Sequence, residues 1–262
     1  MFILSKNLCH ARVGNASFKH LLKVGGLRQN YRKRNVLSYQ FSLYSTGNGL
    51  KPLTVVLDMD ECLIHSTFLN KIMDHRQAES RPGAVKQTED NFLLKLSTNE
   101  LVSVNKRPGL STFLQELAQD EEVDVAVFTA AQQVYADPLL DVLDPEGNIF
   151  SHRFYRQHCD FQKGLYLKDL KVITRNLSRI VLVDNNPISF IPQPLNGIPV
   201  PSFYDDPQDR VLEAALKLLK NLKDCPDVKP FLQLTFKLDE ALQDHRTLIY
   251  GGNSNTEFER AL

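Results

Sequence analysis

At 262 residues the chain has room for one large α/β domain with extensions and a sizeable core. Its apolar content of 42% and charged content of 24% are those of a soluble globular protein. With 31 basic and 31 acidic residues the net charge is zero, which excludes nucleic-acid binding driven by overall charge, and no stretch approaches the roughly 20 apolar residues of a transmembrane helix.

The charge is nonetheless uneven. Residues 1–57 contain no Asp or Glu but carry Lys6, Arg12, Lys19, Lys23, Arg28, Arg32, Lys33, Arg34 and Lys51. Residues 1–50 therefore read as a basic leader with the composition of a mitochondrial transit peptide. Phe18, Leu21, Leu22 and Gly25 would share the face of a short amphipathic helix. Two alternatives stand beside this reading. One is a disordered basic tail; the other is a nuclear address at Tyr31-Arg32-Lys33-Arg34. Cys9, Cys62, Cys159 and Cys225 form no C-x-x-C pair and no metal spacing, so free thiols in a reducing compartment are expected.

The β-branched run of residues 53–57 predicts a buried strand of a parallel sheet, and it ends abruptly in Asp58-Met59-Asp60. In an open α/β sheet the site lies beyond the carboxyl ends of the strands. A period-two spacing there turns both carboxylates toward one pocket. An isolated D-x-D is more often a turn leaving a strand, so the rest of the chain has to decide. Residues 67–90 are polar and read as a long loop. The apolar runs 92–96 and 101–104 around Ser97-Thr98-Asn99-Glu100 predict a β-hairpin, so the first strand is followed by a flap.

Arg107-Pro108-Gly109 opens a helix with Leu110, Phe113, Leu114 and Leu117 on one face. Residues 123–128 predict a second strand ending at Thr129. The helical pattern that follows runs through Val134, Tyr135, Leu139, Leu140 and Leu143, and Pro138 should kink or divide it. Residues 180–183 predict a third buried strand ending at Asp184-Asn185-Asn186-Pro187, and 198–200 a short fourth. Pro207 is expected to start a last amphipathic helix, capped by Asp206, with Leu212, Ala215, Leu216 and Leu219 inward. The tail beyond about residue 233 reads as partly helical and loose. Strands alternating with helices imply an α/β fold with a mainly parallel sheet flanked by helices.

Three strand ends thus carry Asp58 and Asp60, Thr129, and Asp184 with Asn185, while Lys168 precedes the third strand. Singly, Thr129 could be a helix cap, Lys168 a solvated side chain and the Asp184 stretch a turn. Together they supply a nucleophile, an acid/base, a hydroxyl, a cation and metal-binding oxygens, the inventory of phosphoryl transfer.

The stretch Leu57-Asp58-Met59-Asp60-Glu61-Cys62-Leu63-Ile64-His65-Ser66 resembles the first motif of the small phosphatases that act on the RNA polymerase II C-terminal domain, in the haloacid dehalogenase superfamily. Phe128-Thr129-Ala130 with Tyr135-Ala136-Asp137-Pro138, Lys168-Asp169-Leu170 and Val183-Asp184-Asn185-Asn186-Pro187 are similar to the later motifs. Arg107-Pro108-Gly109, Phe154-Tyr155-Arg156 and Cys159 match in order and spacing. The likeness spans residues 52–232 and implies a phosphatase domain at 51–232, with 233–262 as a C-terminal extension. It also implies a haloacid-dehalogenase, Rossmann-like fold.

By that resemblance Asp58 is the nucleophile and Asp60 the acid/base. Mg2+ is held by Asp58, the Asp60 backbone carbonyl and Asn185, with Asp184 in support. Thr129, Lys168 and, near the phosphate, Arg156 bind phosphate oxygens, and Phe68 and Tyr135 form a substrate pocket. Cys62 stands where the family has Thr, Met59 where it has Leu, and Gln132 where an apolar pocket residue is expected. The function implied is a Mg2+-dependent phosphoserine/threonine protein phosphatase acting on a phosphorylated protein or peptide through an aspartyl phosphate. The alternatives are a non-catalytic presequence-binding module of the mitochondrial import receptor type, which usually lacks the complete acid pair, and a small-molecule phosphatase. Oligomeric state is not readable from the sequence.

Overall fold

The computed structural model describes residues 50–69 and 91–251; the basic leader up to residue 49, the polar stretch 70–90 and residues 252–262 lie outside the described residues. The chain forms an α/β fold on a five-stranded, wholly parallel sheet. Its strands are β1 (Leu53–Leu57), β5 (Val123–Phe128), β6 (His152–Phe154), β9 (Ile180–Asp184) and β10 (Gly197–Pro199), in the spatial order β10-β9-β1-β5-β6. β1, the first strand of the described chain, is therefore the centre of the sheet. Leu53, Val55, Val56 and Leu57 are fully buried because both faces are covered, which is why the run lacks the polar alternation of a half-exposed strand.

Period-two alternation sorts the core into two layers. Leu53, Val55 and Leu57, with Val125, Val127, Val181 and Val183, pack against α1 (Leu110–Ala118) and α3 (Val211–Lys223) through Phe113, Leu114, Leu212 and Leu219. On the other face Val56, Phe128, Ile180 and Leu182 meet Phe190, Leu238 and Leu242. The last two belong to or adjoin α5 (Leu238–Ala241), which follows α4 (Lys229–Phe236) and precedes α6 (Gln243–Tyr250). Residues 233–251 are thus helical as expected but are not loose: they cover one side of the sheet, and Ile249 of α6 packs on Leu167, Ile188 and Ile191.

The flap is a three-stranded antiparallel sheet in the order β2-β4-β3, from β2 (Ile64–Leu69), β3 (Asn91–Lys95) and β4 (Leu101–Lys106). The β3–β4 hairpin matches the expectation. β2 corrects it, because residues 64–69 pair along their length with β4 where a loop was expected from residue 67.

One helix expectation narrows, since Pro138 does not divide its helix, and another changes. α2 (Gln133–Leu143) runs through Pro138 undivided. The carbonyl that the missing N–H would bond is that of Val134, a half-exposed residue where water can serve it. α3 begins at Val211, not Pro207. Asp206 caps only a turn, accepting from the Gln208 amide, while Asp209 accepts from Val211 N at 2.8 Å. The short strands β7 (Asp160–Gln162) and β8 (Leu165–Leu167) form a further hairpin around Lys163 and Gly164, both at positive φ, as a tight two-residue hairpin turn requires.

Candidate active site

Asp58 leaves the carboxyl end of β1 with its amide bonded to the Val183 carbonyl of β9 at 3.0 Å. The chain then folds tightly, the Met59 carbonyl accepting from the amides of Leu63 and Ile64, and Glu61 takes a left-handed φ of 57°. This loop carries Asp60 out beside the flap. Asp58 and Asp184, at the ends of adjacent strands, are bridged by Lys168, whose Nζ donates to Asp58 Oδ1 at 2.5 Å and to Asp184 Oδ2 at 2.6 Å. Lys168 is 2% exposed and Asp184 fully buried, which disposes of the solvated-lysine reading.

Burial pushes the Asp58 carboxyl up to about 8, the Asp184 charge adding to it, Lys168 opposing and Asp60 adding a little more. Burial by itself would lower Lys168, but Asp184 and Asp58 outweigh it and the net shift is upward. The cluster therefore holds its lysine charged and is short of positive charge.

Asp60 Oδ1 accepts from the Tyr135 hydroxyl at 2.7 Å. Tyr135 stands in the first turn of α2, and its ring stacks on Phe68 of β2 with centroids 5.7 Å apart. Phe68 and Tyr135, expected as pocket residues, are thus together, and the tyrosine also touches the acid. Burial and then Asp60 push the Tyr135 hydroxyl far up, so it remains a donor at all ordinary pH.

Thr129, 1% exposed, directly follows β5; its Oγ1 accepts from Ala131 N at 3.0 Å, the local turn role, which leaves the O–H to donate. Asn185 donates from Nδ2 to Ser202 Oγ at 3.0 Å, and its buried Oδ1 has no partner among the described residues. Asp184 Oδ1 accepts from Asn186 N, so the turn reading of this stretch holds beside the functional one.

Arg156 stands apart from the carboxylate cluster. Its Nε donates to Ala130 O at 2.7 Å and its guanidinium lies 4.9 Å from the Tyr166 ring centroid. There it lines a cleft of about 460 Å3 with Gln132, Gln157, Cys159, Phe161 and Tyr166. Cys159 joins cleft to cluster. Burial pushes its thiol up to about 11, with Lys168, Asp58 and Arg156 all within electrostatic reach. Gln132, which stands where an apolar pocket residue was expected, falls in this cleft.

Arg107 had been matched in order and spacing only. It is fully buried: Nε and Nη2 donate to Asp209 at 2.9 and 2.7 Å, Nη1 to the Cys62 carbonyl at 3.0 Å and Nη2 to the Pro201 carbonyl at 3.0 Å. One guanidinium thus ties the loop after Asp60 to the segment carrying Ser202. A charged residue beside Pro-Gly gives no sequence signal of complete burial. Cys62 is buried too, its thiol reaching the Val183 carbonyl at 3.7 Å, a weak substitute for a hydroxyl bond. Cys62, Cys159 and Cys225 are free, as expected.

Among the described residues no three carboxylate, imidazole or thiol side chains gather as a metal cluster. The oxygens that the resemblance assigns to a cation, the Asp58 carboxylate, the Asp60 backbone carbonyl and the Asn185 amide oxygen, are a mixed set, and the last is buried without a partner among the described residues. Such hard donors suit Mg2+.

Comparison with known proteins gives a consistent answer. Residues 53–229 match the NLI interacting factor-like phosphatase family. CTD nuclear envelope phosphatase 1 of Xenopus tropicalis is 36% identical over 186 residues, covering 70% of this chain and 72% of its own. A probable C-terminal domain small phosphatase of Dictyostelium discoideum is 39% identical over 181 residues, covering 69% and 53%. Among solved structures, the fission yeast RNA polymerase II CTD phosphatase Fcp1 matches with a TM-score of 0.44 at 18% identity, over 86% of this chain and 63% of that one, so the chain spans less than two thirds of its length. The match over most of the sheet, flap and site residues shows that the chain belongs to the NLI interacting factor-like phosphatase family and is a phosphoprotein phosphatase.

Proposed function

We propose that the chain is a Mg2+-dependent phosphoserine/threonine protein phosphatase that works through an aspartyl phosphate on Asp58. The observation that carries this is the buried Lys168 ammonium bridging Asp58 and Asp184, with Asp60 two residues on and held by Tyr135. The residues present fit the metal: the cluster lacks positive charge, and the Asn185 oxygen is buried without a partner among the described residues. When bound, Mg2+ would supply charge that keeps the Asp58 carboxylate ionised beside an anionic ester.

In this reading Lys168 and Thr129 donate to the phosphoryl oxygens, with Arg156 approaching from the cleft. Asp58 attacks phosphorus, the bond to the seryl or threonyl oxygen breaks, and Asp60 gives that oxygen its proton. Asp60, now ionised, takes a proton from water as the water attacks phosphorus, and the bond to Asp58 breaks to release inorganic phosphate. Asp184 holds Lys168 and stays out of the chemistry. The stacked Phe68 and Tyr135 rings provide an apolar platform for the residue next to the phosphate. The substrate is a phosphorylated protein or peptide rather than a metabolite, in keeping with the named relatives.

Those relatives are phosphatases, and the non-catalytic presequence-receptor alternative finds no support among them. Their nuclear envelope designation favours the nuclear address over the mitochondrial one. No helix among the described residues is long and apolar enough to cross a membrane.

The deciding experiment is Asp60→Asn on two substrates. An aryl phosphate has a stable phenolate leaving group, so only the water step needs Asp60. Phosphoenzyme should accumulate, seen as one burst of phenol and one phosphoryl group on the intact protein. With a phosphoserine peptide the first step also needs the acid, and no burst is expected. Equal loss on both substrates without trapped intermediate would confine Asp60 to metal positioning. Label on a residue other than Asp58 would end the nucleophile assignment.

A further inference from the structure

Asn185 carries one of three buried side-chain oxygens without a partner among the described residues, beside Ser66 Oγ and Asp239 Oδ1; it is the one that follows Asp184 directly, and its nitrogen is bonded to Ser202 Oγ at 3.0 Å. An amide has two faces of opposite polarity. Rotated by half a turn, Asn185 would present an N–H2 donor where an oxygen now points. Only the oxygen-inward orientation can ligate a cation. The Ser202 hydroxyl can donate as well as accept, so it does not choose between the two faces; it fixes where the amide stands, and a residue that does so is part of the cation site although it touches no cation itself.

Ser202 is placed to do this because its backbone is pinned on both sides. Before it, Val200 N bonds Asp184 O at 3.0 Å and Pro201 O accepts from buried Arg107 at 3.0 Å. After it, Phe203 N bonds Glu61 O at 2.8 Å. The same segment is thus tied to the two stretches that carry Asp184 and Asp60, and Ser202 has little freedom to drift from Asn185.

We propose that Ser202 is a positioning residue that sets the affinity of the site for a divalent cation by fixing the place of the Asn185 amide. The inference rests on the Mg2+ reading above. Removing the partner of a metal ligand generally weakens binding about ten- to a hundredfold. Ser202 is exposed, so water can replace part of its bond, and the effect expected is at the lower end, about tenfold.

The test is a calorimetric titration of the full chain with MgCl2, with no substrate present, for the wild type, Ser202→Ala and Ser202→Thr. The alanine variant should raise the Mg2+ dissociation constant by about tenfold, and the threonine variant, which keeps the hydroxyl, should stay within about twofold of the wild type. Thermal unfolding in chelator should be the same for all three within about 2 °C, which separates lost affinity from lost fold. An alanine variant that binds Mg2+ like the wild type overturns the proposal, as does a threonine variant as weak as alanine. Wild-type protein that does not bind Mg2+ at all overturns the metal reading and this inference with it, an outcome distinct from unchanged affinity between variants.

Discussion

Asp209→Asn is the most informative single change, because it alters almost nothing in shape and removes the carboxylate that pairs with a fully buried guanidinium. In the native protein Arg107 makes four hydrogen bonds, two of them to Asp209, whose side chain is 11% exposed. The asparagine keeps an oxygen for Arg107 Nε and for Val211 N, but its new N–H2 faces Arg107 Nη2, donor against donor. A hydrogen bond to a charged group is worth about 1.5–3 kcal/mol, and breaking a buried ion pair by removing one partner costs about 3–5 kcal/mol. The expected loss is therefore about 3–5 kcal/mol, a large fraction of the roughly 5–15 kcal/mol that stabilises a typical domain. Urea unfolding at neutral pH of the wild type, Asp209→Asn, Arg107→Met and the double variant would measure it. The double variant should be more stable than the sum of the single losses by at least about 2 kcal/mol, since neither buried charge is then left alone. An exposed pair gives the internal control. Glu213→Gln, which breaks contacts with Lys217 and Arg210 at the surface of α3, should leave the midpoint where it was. If Asp209→Asn unfolds within about 1 kcal/mol of the wild type, or if the double variant is additive, the clamp reading of Arg107 is wrong.

Asp58→Asn should lower turnover of an aryl phosphate by at least about a thousandfold, and chelator should abolish the wild-type rate; undiminished activity in either experiment would remove Asp58 or the metal from the mechanism. Gly197→Ala should destabilise the fold by about 1–3 kcal/mol in urea, because a Cβ there would lie 2.6 Å from both Phe190 Cδ1 and Leu238 Cδ1. A change too small to measure would mean that α5 does not pack so closely on β10. Stability should also fall in alkali. Burial pushes the Cys62 thiol well above its ordinary value of 9.0, and the Cys159 and Cys225 thiols up to about 11. Past pH 9 the unfolded chain loses these protons first, so stability present below that pH is lost as pH climbs through the folded values. The urea midpoint should drop between about pH 9 and about pH 11, and a flat midpoint would contradict the burial of the thiols.

The features visible in the sequence are those that one long apolar element creates. β1, β5 and β9 were readable because a strand covered on both faces has to be apolar throughout, and Asp58, Asp60, Thr129 and Asp184 because each interrupts such a run. β2 was missed because a flap strand needs few apolar residues, and its Ser66 and Thr67 look like loop. β6, β7 and β8 have three residues each, too few for a period to show. The start of α3 was misplaced for a tertiary reason. Pro207 is a good local signal, but Asp209 is the residue that meets Arg107, and the helix begins beyond it. The Tyr135–Asp60 and Asn185–Ser202 contacts join residues 75 and 17 positions apart, and no local pattern announces them. The C-terminal helices looked loose because they are short, 8, 4 and 8 residues, too few for a sustained apolar period, yet Leu238, Leu242 and Ile249 are all placed inward.

The central position of β1 has a consequence for how the protein is made. Its neighbours in the sheet are β5 and β9, and Val55 pairs with Val125 and with Val181. At ordinary synthesis rates of roughly 5–20 residues per second, the 126 residues from 55 to 181 take about 6–25 s to emerge. For that interval an apolar strand stands with first two, then one of its edges bare, the state most prone to pair with another chain. The flap, by contrast, can close locally within microseconds of its last strand leaving the ribosome. Nascent chains stalled before β9 should therefore hold a folded flap on an unfinished sheet and depend on a chaperone bound to β1. A premature stop ahead of β9 would yield aggregate rather than a weak enzyme.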